Sequence, residues 1–462
     1  MKRLSIFILC ISLLISLAAC AGSQPAVMNN EHSTTSTEPA LTIPNFLSTK
    51  QESPQFNKTA VISETILYSE NSLLIKATSL TYDYDAVILN LSIRNNGNED
   101  FMIYSGSAGH NRNSINHYMM DIGSLMAVAK AGTESTEVLE YPYDYLQMVG
   151  ISEIADICLA FTISGGDIGL LESEVIEIQT NLYQSHDDSN EGISRSFADS
   201  LCLEQLGGKL TYMTTDTGYN ENGVMATAYA IVKKDGADYL FLEAENTTDD
   251  LIFVGIYNLA ANGLTIESPL SAVEPVTPGS KLLITKNIDK YLSPLYRDAL
   301  GISNISSVAF DLEHCDLYMA PLGNRQRITL DFDDKVDPFD STGTTVYSKN
   351  NMEIRFKTIS SDSFALSDDL HVLLLAENQS ETELYIKGQD ASLKVNGNPV
   401  KYRYMPISVG KGQIALMDIE LNSDSLESLN ISDPSQITDI SFGVILSHDL
   451  IKIDTPTITM KP

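Results

Sequence analysis

The chain has 462 residues, enough for about two to four domains at roughly 100–200 residues each. Hydrophobic residues make up 43% of it and charged residues 19%, which is the balance of a globular protein and excludes wholesale disorder. The 61 acidic residues outnumber the 29 basic ones and give a net charge of −32, so electrostatic repulsion excludes a nucleic-acid partner.

Residues 1–19 have the pattern of a signal peptide. Lys2 and Arg3 form a basic start, and an apolar run of 14 residues follows from Leu4 to Leu17. A membrane-spanning helix needs about 20 apolar residues, so this run is too short to span and is typical of a cleaved secretory signal.

The signal ends in Leu17-Ala18-Ala19-Cys20, which resembles the lipobox of bacterial lipoproteins. In that family the cysteine thiol takes a diacylglycerol, and the chain is cut just before it. The resemblance implies that Cys20 is a lipid-attachment site and that the membrane is a partner, with the protein on the extracytoplasmic face of the bacterial cell membrane. The alternative is an ordinary secretory signal followed by a chance cysteine.

The segment that follows, residues 20–59, differs in composition from the rest of the chain. It is rich in Ser, Thr, Pro, Asn and Gln, and no apolar period runs through it. This composition predicts a flexible tether between Cys20 and a folded body.

The remaining sequence contains three copies of one repeat. TILYSENSLLIK at 65–76 matches TTVYSKNNMEIR at 344–355, and the middle copy lacks this Tyr-Ser-x-Asn opening. The other recurring positions, taken in chain order, are Asn96, Asn246 and Asn378; Asn116-His117, Asn262-Gly263 and Asn396-Gly397; Gly132, Gly279 and Gly410; and Ile151, Ile302 and Ile431. Equivalent positions in successive copies are separated by more than 100 residues, which is typical of whole domains in tandem.

Within each repeat, short apolar blocks alternate with Asn, Gly and Asp turns, which is the pattern of β-strands and hairpins. We therefore predict an all-β protein with three tandem Ig-like β-sandwich domains at 60–184, 200–332 and 343–461. The absence of Trp argues against an antibody-type domain.

Patterns that carry catalytic or metal chemistry are weak in this sequence. The segment SGSAGH at 105–110 lacks the first glycine of a nucleophile elbow, so Ser105 and Ser107 are not assigned a catalytic role. No HExxH or Cys-x-x-Cys motif occurs, and we predict no metal site and no cofactor. His117 is interpreted as a turn residue, and His314 and Cys315 as neighbours on opposite faces of a strand.

Several acidic and cysteine positions leave alternatives open. The stretch DFDDKVDPFD at 331–340 is either a linker or a calcium site. The register-shared Asp167, Asp316 and Asp449 are interpreted as turn formers. Cys158 lies in a predicted core strand, and its pairing with Cys202 stays open.

The tyrosines of YPYDY distinguish the first repeat from the other two. We predict that Tyr141, Tyr143 and Tyr145 form a binding surface at one end of the first sandwich, with at least two rings exposed. The alternative is ordinary packing within the sandwich.

These observations favour a non-catalytic surface lipoprotein that presents β-sandwich modules for binding, spacing or shielding, with an unknown protein or glycan ligand. One alternative is an extracytoplasmic glycan- or peptide-processing enzyme with its site between repeats. The other is the solute-binding lipoprotein of an importer, a class that usually has two α/β lobes with long helices.

Overall fold

The computed structural model describes residues 56–106, 112–119, 122–165, 169–188, 191–198, 203–204, 207–267, 273–332, 338–361, 369–448 and 451–462. The signal peptide, Cys20 and nearly all of the tether lie outside these residues. The described residues belong to one compact unit of predominantly β structure. The predicted all-β fold class is confirmed: each repeat consists of β-sheets that enclose an apolar core.

The described part of the first repeat contains twelve strands. They are β1 Thr65–Glu70, β2 Leu73–Tyr82, β3 Ala86–Asn95, β4 Phe101–Ser105, β5 Ser114–Ile115, β6 Tyr118–Met119, β7 Leu125–Ala129, β8 Glu134–Pro142, β9 Asp156–Leu159, β10 Thr162–Ser164, β11 Leu170–Glu172 and β12 Ile176–Gln179. One sheet has the order β1-β2-β3-β8, and the opposite layer has two parts, β11-β10-β4-β7 and β12-β9-β5-β6.

The second repeat follows the same plan. Its strands are β13 Gly208–Thr214, β14 Asn220–Glu221, β15 Val224–Lys234, β16 Ala237–Asn246, β17 Ile252–Ala261, β18 Leu264–Thr265, β19 Val273–Val276, β20 Lys281–Asn287, β21 Ser307–Cys315 and β22 Gln326–Asp331. The two layers have the orders β20-β16-β15-β13 and β22-β21-β17-β18.

The third repeat contains the remaining strands. They are β23 Thr344–Lys349, β24 Met352–Ser361, β25 Leu370–Asn378, β26 Leu384–Gly388, β27 Lys394–Val395, β28 Asn398–Pro399, β29 Tyr402–Tyr404, β30 Ile407–Val409, β31 Ile414–Leu421, β32 Ile440–His448, β33 Ile451–Asp454 and β34 Thr457–Met460. Its layers have the orders β31-β25-β24-β23 and β28-β27-β32-β26-β30.

Helices are short in the described part of the chain. The α-helices there are Tyr143–Met148, Ile193–Ser196, Ile288–Tyr291, Pro294–Leu300 and Ser423–Glu427, and the 3₁₀ turns are Tyr183–Ser185 and Pro434–Gln436. One α-helix in each repeat precedes a buried isoleucine of the shared set, Ile151, Ile302 and Ile431. None of the described helices is both long and apolar enough to cross a membrane.

A buried asparagine ends one long strand in each repeat, at the end of β3, β16 and β25. The Asn246 amide donates to the carbonyls of Asp250 and Val276, and the Asn378 amide donates to those of Thr382 and Val409. In the first repeat the residue in this position is Asn95, whereas Asn96 is exposed. The sequence register was therefore wrong by one residue here, because either of two consecutive asparagines satisfies the pattern.

Two further details of the repeat differ from the sequence alignment. Gly412, not Gly410, corresponds to Gly132 and Gly279, because these three share positive φ values of 66°, 67° and 67°. The middle repeat does have an opening tyrosine and asparagine: Tyr219 precedes the Asn222-Gly223 turn that begins β15. The sequence match missed this opening because Ser69 is replaced by Asn220.

Neighbouring repeats share sheets across their boundaries. The strand β6 pairs in parallel with β20, and β18 pairs in parallel with β31, each through two residue pairs. Layers of consecutive repeats thereby become continuous sheets of 9 and 10 strands. The Ig-like topology and the boundaries 60–184, 200–332 and 343–461 stay predictions.

Candidate functional site

The tyrosines proposed as a binding surface are buried. Tyr141, Tyr143 and Tyr145 expose only 2%, 8% and 6% of their surface, so the predicted exposure of at least two rings is wrong. The Tyr141 ring covers Gly123, where a Cβ would collide with it. The ring of Tyr143 lies 4.8 Å from that of Phe56, and its hydroxyl donates to the carbonyl of Asp83.

These tyrosines are buried because of the local structure that the YPYDY segment adopts. Strand β8 continues to Pro142, and a short helix begins at Tyr143, so the segment is not an irregular surface loop. The helices Pro294–Leu300 and Ser423–Glu427 in the other repeats also bury apolar side chains, among them Leu295 and Leu426. The tyrosines of the first repeat are therefore core residues of the strand and short helix that precede Ile151.

Ser105 and His314, two further candidates from the sequence, have structural roles. Ser105 is buried, and its hydroxyl donates to the carbonyl of Ala160 at 2.7 Å. His314 is buried against the Tyr219 hydroxyl at 2.7 Å, and burial lowers the pKa of this histidine. Cys158 and Cys315 are free thiols. Ser107, Cys202, Asp167 and Asp449 lie outside the described residues.

The acidic stretch 331–340 is described only in part, because residues 333–337 lie outside the description. At its end, the Asp340 carboxylate accepts hydrogen bonds from the backbone and hydroxyl of Thr342, and it lies 2.5 Å from the Lys357 ammonium. This carboxylate already has a cationic partner. The calcium alternative stays open for the rest of the stretch.

An ordered apolar loop projects from the second repeat between β21 and β22. The Asp316 carboxylate accepts the N–H groups of Tyr318 and Ala320 at 2.8 and 2.9 Å, which confirms its interpretation as a turn former. The loop leaves Leu317, Tyr318 and Met319 exposed by 61%, 77% and 52%. A fixed turn with three adjacent exposed apolar side chains is unlike the scattered apolar residues of an ordinary surface.

The sequence contained a signal for this loop. The run DLYMAPL at 316–322 is apolar but lies after a strand and contains Pro321, so it cannot continue as a central strand. The repeated tyrosines of YPYDY are the more conspicuous pattern, whereas this loop is a short apolar turn without a period. This loop replaces the tyrosine segment as the candidate contact surface.

A polar cluster lies beside the hairpin that joins the first two repeats. His186 lies 3.1 Å from Glu153 and 3.1 Å from Glu191, and the Asn116 amide donates to Glu191 at 2.6 Å. Burial raises the pKa of Glu191 to about 7. Burial lowers the pKa of His186, but its contacts with the two glutamates outweigh burial and leave that pKa raised.

Comparison with known proteins gives little further information. No protein-family model matches the chain, and no curated protein matches it. Among solved structures, the chain is similar to one described as "Biofilm associated protein - BSP domain", at 10% identity over 88% of this chain and 67% of that chain. The TM-score of this match is 0.13, which is too low to support a statement about fold or function.

Proposed function

We propose that this protein is a non-catalytic, lipid-anchored surface protein whose β-sandwich repeats present a contact loop to a partner protein. The observation that carries the proposal is the apolar turn of Leu317, Tyr318 and Met319, held outward by Asp316. The lipobox resemblance at Cys20 supports placement on the extracytoplasmic face of the membrane.

Charge indicates the chemistry of the partner. The net charge of −32 repels anionic lipid headgroups and nucleic acids, so a negatively charged membrane is disfavoured as the surface that the loop contacts. The acidic Asp316 begins the loop, and Glu313 precedes it and pairs with Arg325 at 2.9 Å. We infer that the partner is a protein whose surface has an apolar patch with a basic rim, since such a patch complements both features.

The structure also bears on the two alternative functions. An importer's solute-binding lipoprotein has long helices, and no described helix here exceeds the seven residues of Pro294–Leu300. An enzyme site between repeats needs an open cleft. At the first boundary, Tyr118 and Met119 are buried, and their strand pairs with the next repeat, which supports a filled boundary there.

Site-specific photo-crosslinking in cells tests the contact loop. Tyr318 is replaced by p-benzoylphenylalanine in the full chain, and the matched control carries the same replacement at Tyr84, an 83% exposed tyrosine in the first repeat. We expect a discrete protein adduct from position 318 and none from position 84. The absence of an adduct at 318, or the same adducts at both positions, would contradict the proposal.

A further inference from the structure

Three side chains with metal-binding atoms meet on the first repeat. Asp156 and Cys158 are two residues apart on β9, so their side chains lie on the same face of the sheet. Strand β5 pairs with β9, and the hairpin after β5 brings His117 to the same place. A carboxylate oxygen of Asp156, an imidazole nitrogen of His117 and the Cys158 sulfur all lie within 4.8 Å of one another.

The hairpin geometry holds His117 in this position. Asn116 and His117 have φ values of 49° and 60°, and the Asn116 side chain accepts the N–H groups of Ala155 and Asp156. The Nε2 atom of His117 lies 3.8 Å from Oδ2 of Asp156. In a tetrahedral zinc site with bonds of about 2.0–2.3 Å, ligand atoms lie roughly 3.3–3.8 Å apart, so small side-chain rotations suffice.

An independent observation also points to a cation as the partner of Asp156. Asp156 is only 2% exposed, and its Oδ1 atom has no hydrogen-bond partner among the described residues. A buried carboxylate oxygen without a partner is costly, and buried charges are normally paired or coordinate a metal. Glu177 lies opposite Cys158 across the β9–β12 pair and adds negative charge nearby.

The fold does not require these three residues. The positions equivalent to His117 are Gly263 and Gly397, which make the same turn. The asparagine contacts of the hairpins align Asp156 with Ser307 and Asp439, and hence Cys158 with Ala309 and Ser441. None of the other described repeats therefore combines the three donor types at these positions.

We propose that His117, Asp156 and Cys158 form a Zn²⁺ site. A set of one nitrogen, one oxygen and one sulfur donor suits Zn²⁺ and does not suit Ca²⁺ or Mg²⁺, which take oxygen ligands. The His117 side chain is 52% exposed, so the ion has access from solvent, and water can fill the fourth position. Because His117 immediately precedes β6, the ion links β9 to the hairpin that pairs with the second repeat.

Cobalt spectroscopy on the full chain in detergent tests this site. Co²⁺ bound through a cysteine gives a near-ultraviolet thiolate-to-cobalt absorption, and its displacement by Zn²⁺ reports affinity. We expect one site in the wild type, loss of this absorption in Cys158→Ser, and Zn²⁺ affinity weakened by more than about tenfold in His117→Gly. The His117→Gly change keeps the turn, since glycine occupies this position in the other repeats.

Cys315→Ser is the matched control, because Cys315 is the other described free thiol and belongs to no such cluster. This variant retains the absorption if the site is at Cys158. The proposal is overturned if the wild type shows no thiolate-to-cobalt absorption, or if the absorption persists in Cys158→Ser. Circular dichroism of each variant confirms that it is folded before its metal affinity is compared.

Discussion

At the scale of single residues, a few buried polar side chains define the corners of each repeat. Asn95, Asn246 and Asn378 are at most 1% exposed and bridge two loops through both amide hydrogens. Their side-chain oxygens accept N–H groups from the turn that follows, as Asn95 does from Gly97 at 2.8 Å. One side chain thus satisfies several buried backbone groups, and its removal leaves them unpaired.

Two neighbouring asparagines allow a direct test of this role. Asn95→Ala is expected to lower the free energy of unfolding by about 2–4 kcal/mol, because several buried groups lose their partners. Asn96→Ala is the control and is expected to change it by less than about 0.5 kcal/mol, since Asn96 is exposed. Urea unfolding measures both, and a larger loss at Asn96 would show that the observed register is incorrect.

The buried Glu191 predicts a pH dependence of stability. Its pKa rises from 4.5 to about 7 on folding, so between these values the folded state binds more protons than the unfolded state. The contribution of Glu191 to stability is therefore greatest below pH 4.5 and is lost as the pH rises through about 7. The raised pKa of His186 acts in the same direction at higher pH.

We expect Glu191→Gln to flatten this dependence. The loss in the wild type between about pH 4.5 and pH 8 is on the order of 3 kcal/mol, and the variant, which cannot ionise, should lack most of it. Thermal unfolding across this range gives the comparison. Equal slopes in both proteins would mean that Glu191 does not titrate as the buried contacts indicate.

The prediction of exposed tyrosines failed because it depended on the composition of the YPYDY segment alone. Tyr141 and its neighbours stood out because the other repeats lack tyrosine there, but the structure buries all three side chains. Their burial depends on the helix that begins at Tyr143, and a six-residue helix has too few turns to show an apolar period. The asparagine turns were predictable because positive φ strongly selects Asn and Gly.

At the scale of elements, the repeats join through very short parallel strands. The backbone N–H of Lys281 donates to the carbonyl of His117 at 2.9 Å, and the parallel register continues through Met119 and Leu282. Met119 also packs into the core of the second repeat. In the third repeat the equivalent strand ends in Pro399, which has no N–H to donate and is exposed.

A proline exchange tests the importance of this pairing. Met119→Pro is expected to destabilise the protein by about 3 kcal/mol and to increase hydrogen exchange at residues 281–283, because the pairing needs the N–H of residue 119. Met119→Leu controls for packing, and Pro399→Met controls for the same position without a partner repeat. Unchanged exchange in Met119→Pro would contradict the pairing.

The strands could be predicted from the sequence, but these connections could not. Long strands such as β16 and β25 have apolar runs that end in recognisable turns. A pairing of two residues per strand has no period, and its parallel direction depends on how one repeat meets the next. For this reason the sequence predicted separate sandwiches, whereas the structure has sheets that continue across the boundaries.

At the scale of the whole molecule, the proposed function combines a strongly acidic β-sheet body with a proposed lipid anchor at Cys20. With a net charge of −32, electrostatic attraction to anionic lipid cannot hold the protein at a membrane. The acyl chains implied by the lipobox resemblance must supply that affinity, since each buried CH₂ contributes about 0.8 kcal/mol. The proposed display of the apolar loop at a cell surface therefore depends on the proposed lipid attachment at Cys20.

Mass spectrometry of the N-terminal peptide from membrane-purified protein tests this claim most directly. We expect a peptide that begins at Cys20 and carries the added mass of a diacylglycerol, and we expect that Cys20→Ser protein is not retained with the membrane. An unmodified mature terminus at any other residue would contradict the lipid-anchored account.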